Sequence, residues 1–466
     1  MITAKSDGRN INVFIFGFIT IIILMIITIF NYEFAGKYAE EYLFVTVSMF
    51  VYLIYNFFLF SFGKFYIFEP ISLVFLLYLF IFFIDPLINI ITNNTACMGY
   101  EVMSGCKKTT WIFVVSYIAF TIGYYSKKKI IFSFGQNVNN INWENSARSI
   151  ELYATVIWVL SFVFGCIELV SKGMSMSYFL TLGLTGEIEN MYATSAFGFL
   201  GNFRFSMISA WLYLFVCNRR SLKTKVCGLL TLEYFILRGF RHSLFVLIFS
   251  PIIYAYVRER KKPRARVLVL LFTITVIVMG IMQFARGALR SGGSVDWSTF
   301  DMSIFVEAIQ GNCDVYKTFY GMVEVVPKRL EYQWGKECIV SVVTMIVPRS
   351  IWPSKPIAPI ITNLHMFCGA LAADSGYAMP NISEYYLDFG IVGCIIGLYL
   401  FGIVLKRMKY LYIEKRASNH SLILYSVMFP ALLQVVLRGY SPSYLYLLLF
   451  YAFPIILIKF LVRTKR

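Results

Sequence analysis

Charge is scarce in this chain, and acid is the scarcer sign. Asp and Glu number 25 in 466 residues, charged residues make up 14%, and His occurs three times. A soluble globular protein of this size needs a far more charged surface, so the shortage excludes an aqueous fold. The ten-residue apolar/polar alternation of a membrane β-barrel is also missing, and long Ile/Leu/Phe runs stand in its place. No Gly/Ser linker and no internal repeat divides the sequence, which reads as one membrane domain over residues 1–466. The nine cysteines form no zinc pattern, and there is no phosphate-binding glycine loop with its lysine, so nothing supports ATP use.

What remains is a chain that is 59% hydrophobic with a mean hydropathy of +0.70. A bilayer core of ~30 Å takes roughly 20 apolar residues per helix. On that measure the fold class is an all-α polytopic membrane protein of about twelve spans. They fall near 12–31, 42–62, 67–91, 111–126, 150–171, 196–217, 225–238, 242–257, 267–285, 384–405, 420–437 and 442–461. The first run is too long for a signal peptide core and lacks a small-residue cleavage site.

Basic residues set the orientation. With the N-terminus inside, 25 of the 42 Lys and Arg lie on the cytoplasmic side, Lys459 falls inside a span, and 16 lie on the other side, half of those in one long loop. Long loops are largely exempt from the positive-inside rule. Both termini are therefore expected in the cytoplasm, with the loop 286–383 outside. The net charge of +17 is mainly topogenic charge beside anionic headgroups. It is spread over many short turns, which argues against nucleic-acid binding. Cys97 and Cys106 share one outward loop, either as a small disulfide or as two free thiols.

Within the long loop, the spacing of Ile304, Phe305, Ala308, Ile309, Val315 and Phe319 predicts a short surface helix in 301–325. Residues 337–347 are apolar enough to re-enter the membrane edge but too short to span it. Pro348 to Pro356 is rigid and extended, because each proline fixes φ and keeps its predecessor out of the helical region.

Arginines mark the expected outward helix ends: Arg238 and Arg241 between two spans, Arg286 and Arg290 after another, Arg349 in the proline segment, and Arg438. A guanidinium near hydrocarbon costs several kcal/mol unless it pairs or snorkels, so these are either interfacial and structural charges or ligand-binding ones. Arg grips phosphate through two parallel hydrogen bonds and keeps its charge at any pH. Convergence of such sites would clamp a diphosphate and stabilise it as a leaving group. Lys355 adds charge to the proline segment, and Trp352 either stacks on a sugar or sits at the headgroup boundary. Glu384, at the start of the tenth expected span, either accepts a proton from an attacking hydroxyl or neutralises an arginine; Asp374 and His365 compete for the proton-accepting role. His242 either donates to phosphate or is a satisfied interior histidine. No Asp-x-Asp pair lies on an outward loop, so no metal or other cofactor is called for.

At these residues the chain resembles the Wzy-type polymerases of bacterial O-antigen and related surface polysaccharides. Arg238-Gly239-Phe240-Arg241 is similar to their glycine–arginine helix break, and Pro348-Arg349-Ser350-Ile351-Trp352-Pro353-Ser354-Lys355-Pro356 to their proline/tryptophan segment. Ser383-Glu384-Tyr385-Tyr386-Leu387-Asp388-Phe389-Gly390 resembles the start of their next span, and Arg438-Gly439 their late arginine. The resemblance implies a GT-C-like membrane glycosyltransferase in the bacterial inner membrane. It would polymerise undecaprenyl-diphosphate-linked oligosaccharides, with membrane lipids and a chain-length regulator as partners. Arg241, Arg349 and Arg438 would hold diphosphate and Glu384 would assist the acceptor hydroxyl. An O-antigen ligase shares the loop and the arginine logic. A flippase for the same lipid-linked unit would show paired repeats, which are missing here.

Overall fold

The computed structural model describes residues 25–26, 28–29, 31–62, 66–97, 100–126, 143–171, 198–238, 240–264, 301, 316–345, 347, 351–368, 379–413 and 418–464, with scattered positions between 266 and 284. Its helices are α1 (Ala39–Phe62), α2 (Pro70–Ile91), α3 (Gly105–Tyr125), α4 (Trp143–Val170), α5 (Ser206–Asn218), α6 (Leu222–Leu237) and α7 (Arg241–Glu259). After these come α8 (Lys317–Val325), α9 (Ser341–Met345), α10 (Pro359–Thr362), α11 (Leu364–Cys368), α12 (Ile382–Ile413), α13 (Asn419–Leu437) and α14 (Ser441–Thr464). One two-residue hairpin pairs β1 (Ala96–Cys97) with β2 (Tyr100–Glu101). The all-α expectation holds for the described residues. Ten of the expected apolar segments are helices, and six helices are long and apolar enough by themselves to cross a membrane. The expected runs 12–31 and 267–285 lie largely outside the described residues.

Two apolar cores share the bundle. The first gathers α1, α2, α3, α8, α11 and α12 around aromatic stacks such as Phe82 on Phe113, whose centroids are 3.9 Å apart. The second gathers α4 to α7 with α13 and α14. Helix α13 gives Leu432, Val435 and Val436 to the first core and Ile423, Val427 and Ala431 to the second, so it forms the seam between them. The basic turns tie down one end of the bundle. Lys409 pairs with Glu69, which also accepts from the Tyr124 hydroxyl at 2.5 Å. The opposite end, where α8 to α11 pack, is called here the loop end.

One segment differs from expectation. Helix α8 is not a surface helix: Phe319, Tyr320, Met322 and Val323 are core residues. Lys317 is buried as well, its Nζ donating to the Asn94 carbonyl and Oδ1, both at 2.7 Å, and to the Ala96 carbonyl at 3.0 Å. Periodicity alone cannot say that the β-hairpin, α3 and α11 cover the helix's second face. The rest of the predicted helix, 302–315, lies outside the described residues. Cys97 and Cys106 are separate buried thiols, which settles that alternative against the disulfide.

The loop end is held by a close backbone crossing. Gly439 donates its N–H to the Met379 carbonyl at 2.6 Å, and Asn381 donates to Val436 at 3.2 Å. A Cβ on Gly439 would lie 2.5 Å from Asn381 Cα and Pro380 O, so only glycine permits this approach. Gly439→Ala is expected to destabilise the protein by about 1–3 kcal/mol, the cost of overpacking a rigid site. A lowered unfolding temperature in detergent would show it, while an unchanged one would mean that the crossing is looser than described.

Candidate functional site

Four helix ends meet at the loop end of the second core. Glu168, near the end of α4, is 3% exposed in its side chain and takes two arginines. Arg204 Nη1, from the 3-10 turn before α5, binds Glu168 Oε2, and Arg238 Nη2, from the end of α6, binds Oε1 at 3.0 Å. Gly201 leaves room for this carboxylate, since a Cβ there would fall 2.5 Å from Glu168 Oε2. The Phe240 ring packs under both guanidiniums, 4.8 Å from Arg204 Cζ and 5.1 Å from Arg238 Cζ. Nε of each arginine is buried without a hydrogen-bond partner among the described residues.

Among the described residues, two guanidiniums share this one carboxylate, and a surplus of buried positive charge of that kind costs several kcal/mol unless an anion completes it. More positive charge lies close by. Arg241 opens α7, where the helix dipole favours an anion instead, and the His242 ring follows it. Arg204 and Arg438 are near enough for their charges to act on the His242 ring. Arg438 stands exposed at the end of α13. The arrangement is suited to a multiply charged anion.

The α13–α14 turn joins these cations to an acidic cluster on the first core. Glu384, in the first turn of α12, is fully buried. Its Oε1 accepts the Ser441 backbone N–H and its Oε2 the Ser441 hydroxyl, which also lies 2.7 Å from the Tyr444 hydroxyl. Ser441 opens α14, so Glu384 supplies the hydrogen-bond acceptors that cap this helix N-terminus. Arg438 is three residues before Ser441 in the same turn. Glu384 thereby fixes the strand of chain that presents Arg438.

Four residues further along α12, Asp388 accepts from Glu337 N at 3.0 Å and from Cys338 N at 2.7 Å. Glu337 Oε2 accepts from Ile360 N at 2.8 Å, and its Oε1 is buried with no hydrogen-bond partner among the described residues. The stretch expected to re-enter the membrane edge, 337–347, begins as a turn and short helix pinned against α12. Burial pushes the Glu337 carboxyl up to about 7; the Ile360 N–H opposes the rise and the Asp388 charge adds to it. A folded value above the ordinary 4.5 means that the native state keeps a proton the unfolded chain has lost. Stability is then greatest below pH ~4.5 and falls as pH rises to about 7, by of order 3 kcal/mol. Glu337→Gln is expected to flatten this dependence, read as unfolding temperature against pH.

Of the residues singled out from sequence, the structure brings Arg238, Arg241, His242, Arg438 and Glu384 to one end of the bundle. Arg286, Arg290, Arg349 and Asp374 lie outside the described residues. Trp352 is partly exposed with its Nε1 on Ser354 Oγ at 3.1 Å, and Lys355 donates to the Val347 carbonyl at 3.2 Å. The same stretch is anchored to α14 where the Tyr446 hydroxyl donates to the Met345 carbonyl. His365 is exposed on α11, which packs on α8. Sequence reasoning passed over Arg204, Glu168, Glu337, Asp388 and Ser441. The signal for the first two was present, since each is a charge inside an apolar run.

Residues 12–465 match the family model described as O-antigen polysaccharide polymerase Wzy. No curated protein and no solved structure gives a significant match. The resemblance drawn from the arginine and proline motifs is thereby borne out over nearly the whole chain.

Proposed function

The chain belongs to the O-antigen polysaccharide polymerase Wzy family, and from that premise we propose that it joins undecaprenyl-diphosphate-linked oligosaccharide repeat units at the periplasmic face of the inner membrane. The loop end is then the periplasmic end, and both termini are cytoplasmic. The observation that carries this reading is the surplus of buried guanidinium charge where Arg204 and Arg238 share Glu168, with Arg241, His242 and Arg438 beside them.

In the transfer step an acceptor hydroxyl of one lipid-linked unit attacks the anomeric carbon of the growing chain. The carbon–oxygen bond to the carrier diphosphate breaks, the bonding pair going to the departing diphosphate, and the hydroxyl proton passes to water. Negative charge builds on the departing diphosphate, and fixed guanidiniums stabilise it more than they stabilise the bound substrate. Arg204, Arg238, Arg241 and Arg438 supply that charge, and Arg349 and Arg286, from the loop sequence, are assigned the same role. With cations of this kind in place, the reaction proceeds without metal. Glu384 has both oxygens committed to Ser441, so its part is to hold the turn that carries Arg438. Trp352, Lys355 and His365 are left to the glycan.

Purified protein given lipid-linked repeat units and EDTA in detergent is expected to yield longer glycans. Arg241→Ala and Arg349→Ala should yield none at normal protein abundance. Absence of elongation by the wild type with all components intact would overturn the reading.

A further inference from the structure

We infer that residues 334–345, comprising Trp334, the π-turn Lys336–Val340 and α9, lie on the outer surface of the bilayer and press their exposed apolar face into phospholipid. The starting point is α12. Val392, Ile396, Leu400 and Val404 are all exposed and recur every four residues, which sets them on one stripe of a helix able to span a membrane, and exposed Phe389 stands at its end just before the Gly390 break. That stripe is the lipid-facing side of α12, and it ends at Lys406 on the basic side.

The stripe is too short. The 17 residue steps from Phe389 to Lys406 rise roughly 26 Å at 1.5 Å each, against a hydrocarbon core of ~30 Å. Beyond Phe389 the helix cannot add to it, because Ile382, Ser383, Glu384, Leu387 and Asp388 are all buried. Whatever encloses α12 at that level must meet the lipid in its place.

The enclosing element is the 334–345 stretch. A left-handed Gly390, with φ of +61°, breaks α12 and leaves carbonyls without their helical donors. Gln333 N donates to Leu387 O at 3.0 Å and Trp334 N to Asp388 O at 3.1 Å, while the Asp388 side chain caps the following π-turn. Tyr332 fills the space beside Gly390, where any Cβ would meet its hydroxyl at 2.7 Å. The stretch is thus bolted to α12 at the level where the stripe ends.

Its outer face continues the stripe. The Trp334 ring stands edge-on to Phe389 at 6.3 Å, and Gly335 packs between Phe389 and Ile339. Trp334 is 72% exposed and Val343 62%, with Ile339 and Val340 also open, while Glu337 and Met345 point into the protein. Exposure of this much aliphatic and indole surface suits neither water nor a polar partner. It suits the headgroup–acyl boundary, where Trp concentrates and where an amphipathic helix buries its apolar face by roughly 5–10 Å. That depth covers the few ångströms that α12 lacks. Exposed Lys336 sits in the same turn, within reach of anionic headgroups.

The test uses the full-length protein in nanodiscs of phosphatidylethanolamine and phosphatidylglycerol, free of polyprenyl carrier. Val343→p-benzoylphenylalanine and, separately, Ile339→p-benzoylphenylalanine are irradiated and analysed by mass spectrometry, with exposed Glu331→p-benzoylphenylalanine as control. Phospholipid adducts at 343 and 339, and none at 331, are expected. Adducts confined to protein, or equal lipid labelling at all three positions, would overturn the proposal. Because polymerisation is not the readout, failure here is separate from failure of the diphosphate assignment.

Discussion

Arg204→Ala is expected to stop chain extension, lowering polymerisation on the order of 100-fold or more, the scale seen when one fixed charge donor is removed from a transition state. Membrane abundance should stay near that of the wild type. Removing Arg204 leaves Glu168 paired with Arg238, so no buried carboxylate is stranded. What disappears is the surplus positive charge, since one guanidinium then faces one carboxylate. Arg204→Lys is expected to recover little, because an ammonium is a point donor and cannot hold Glu168 and a phosphate oxygen in one plane. Repeat-unit ladders on gels, beside quantified protein, give the readout. A normal ladder from Arg204→Ala would remove the buried cluster from the mechanism.

The second large effect concerns Glu384. Both of its oxygens are taken by Ser441, so Glu384→Gln and Ser441→Ala break one and the same attachment. Leaving a buried polar group without its partner costs about 1–3 kcal/mol, which amounts to roughly 5–150-fold in rate if placement of Arg438 depends on it. Each single variant is expected to fall within that range, and the double variant to be no worse than the poorer single. Residues acting through one contact are not additive. If Glu384 instead takes the proton from the acceptor hydroxyl, Glu384→Gln is inactive while Ser441→Ala keeps most of its activity. That outcome would return Glu384 to the proton-accepting role.

Much of the fold was legible because hydrocarbon imposes it. Runs such as 42–62, 150–171 and 420–437 can satisfy their backbone only as helices, and α1, α4 and α13 follow them closely. The helix breaks at Arg238 and Arg438 were legible from the arginine–glycine pairs. The interior of the site was less so. Arg204 and Glu168 sit within apolar runs read as membrane helices, and nothing local shows that two runs separated in sequence bring their charges together. Glu337 and Asp388 looked like ordinary loop and helix acids. Their roles arise from the Gly390 break, which exposes carbonyls and turns the Asp388 side chain into a helix cap. Such a break depends on the tertiary partner, here the 332–338 segment. Glu384 was found by position, yet its attachment to Ser441 depends on the crossing at Gly439.

The most direct test is the affinity of the reconstituted protein for a polyprenyl diphosphate with no sugar attached, compared between the wild type and Arg204→Ala or Arg238→Ala. Saturable binding by the wild type, weakened about ten-fold or more in each variant, is the predicted result, one charge-assisted hydrogen bond being worth at least that much. Equal affinity in all three proteins would contradict the assignment of the buried guanidiniums to the diphosphate.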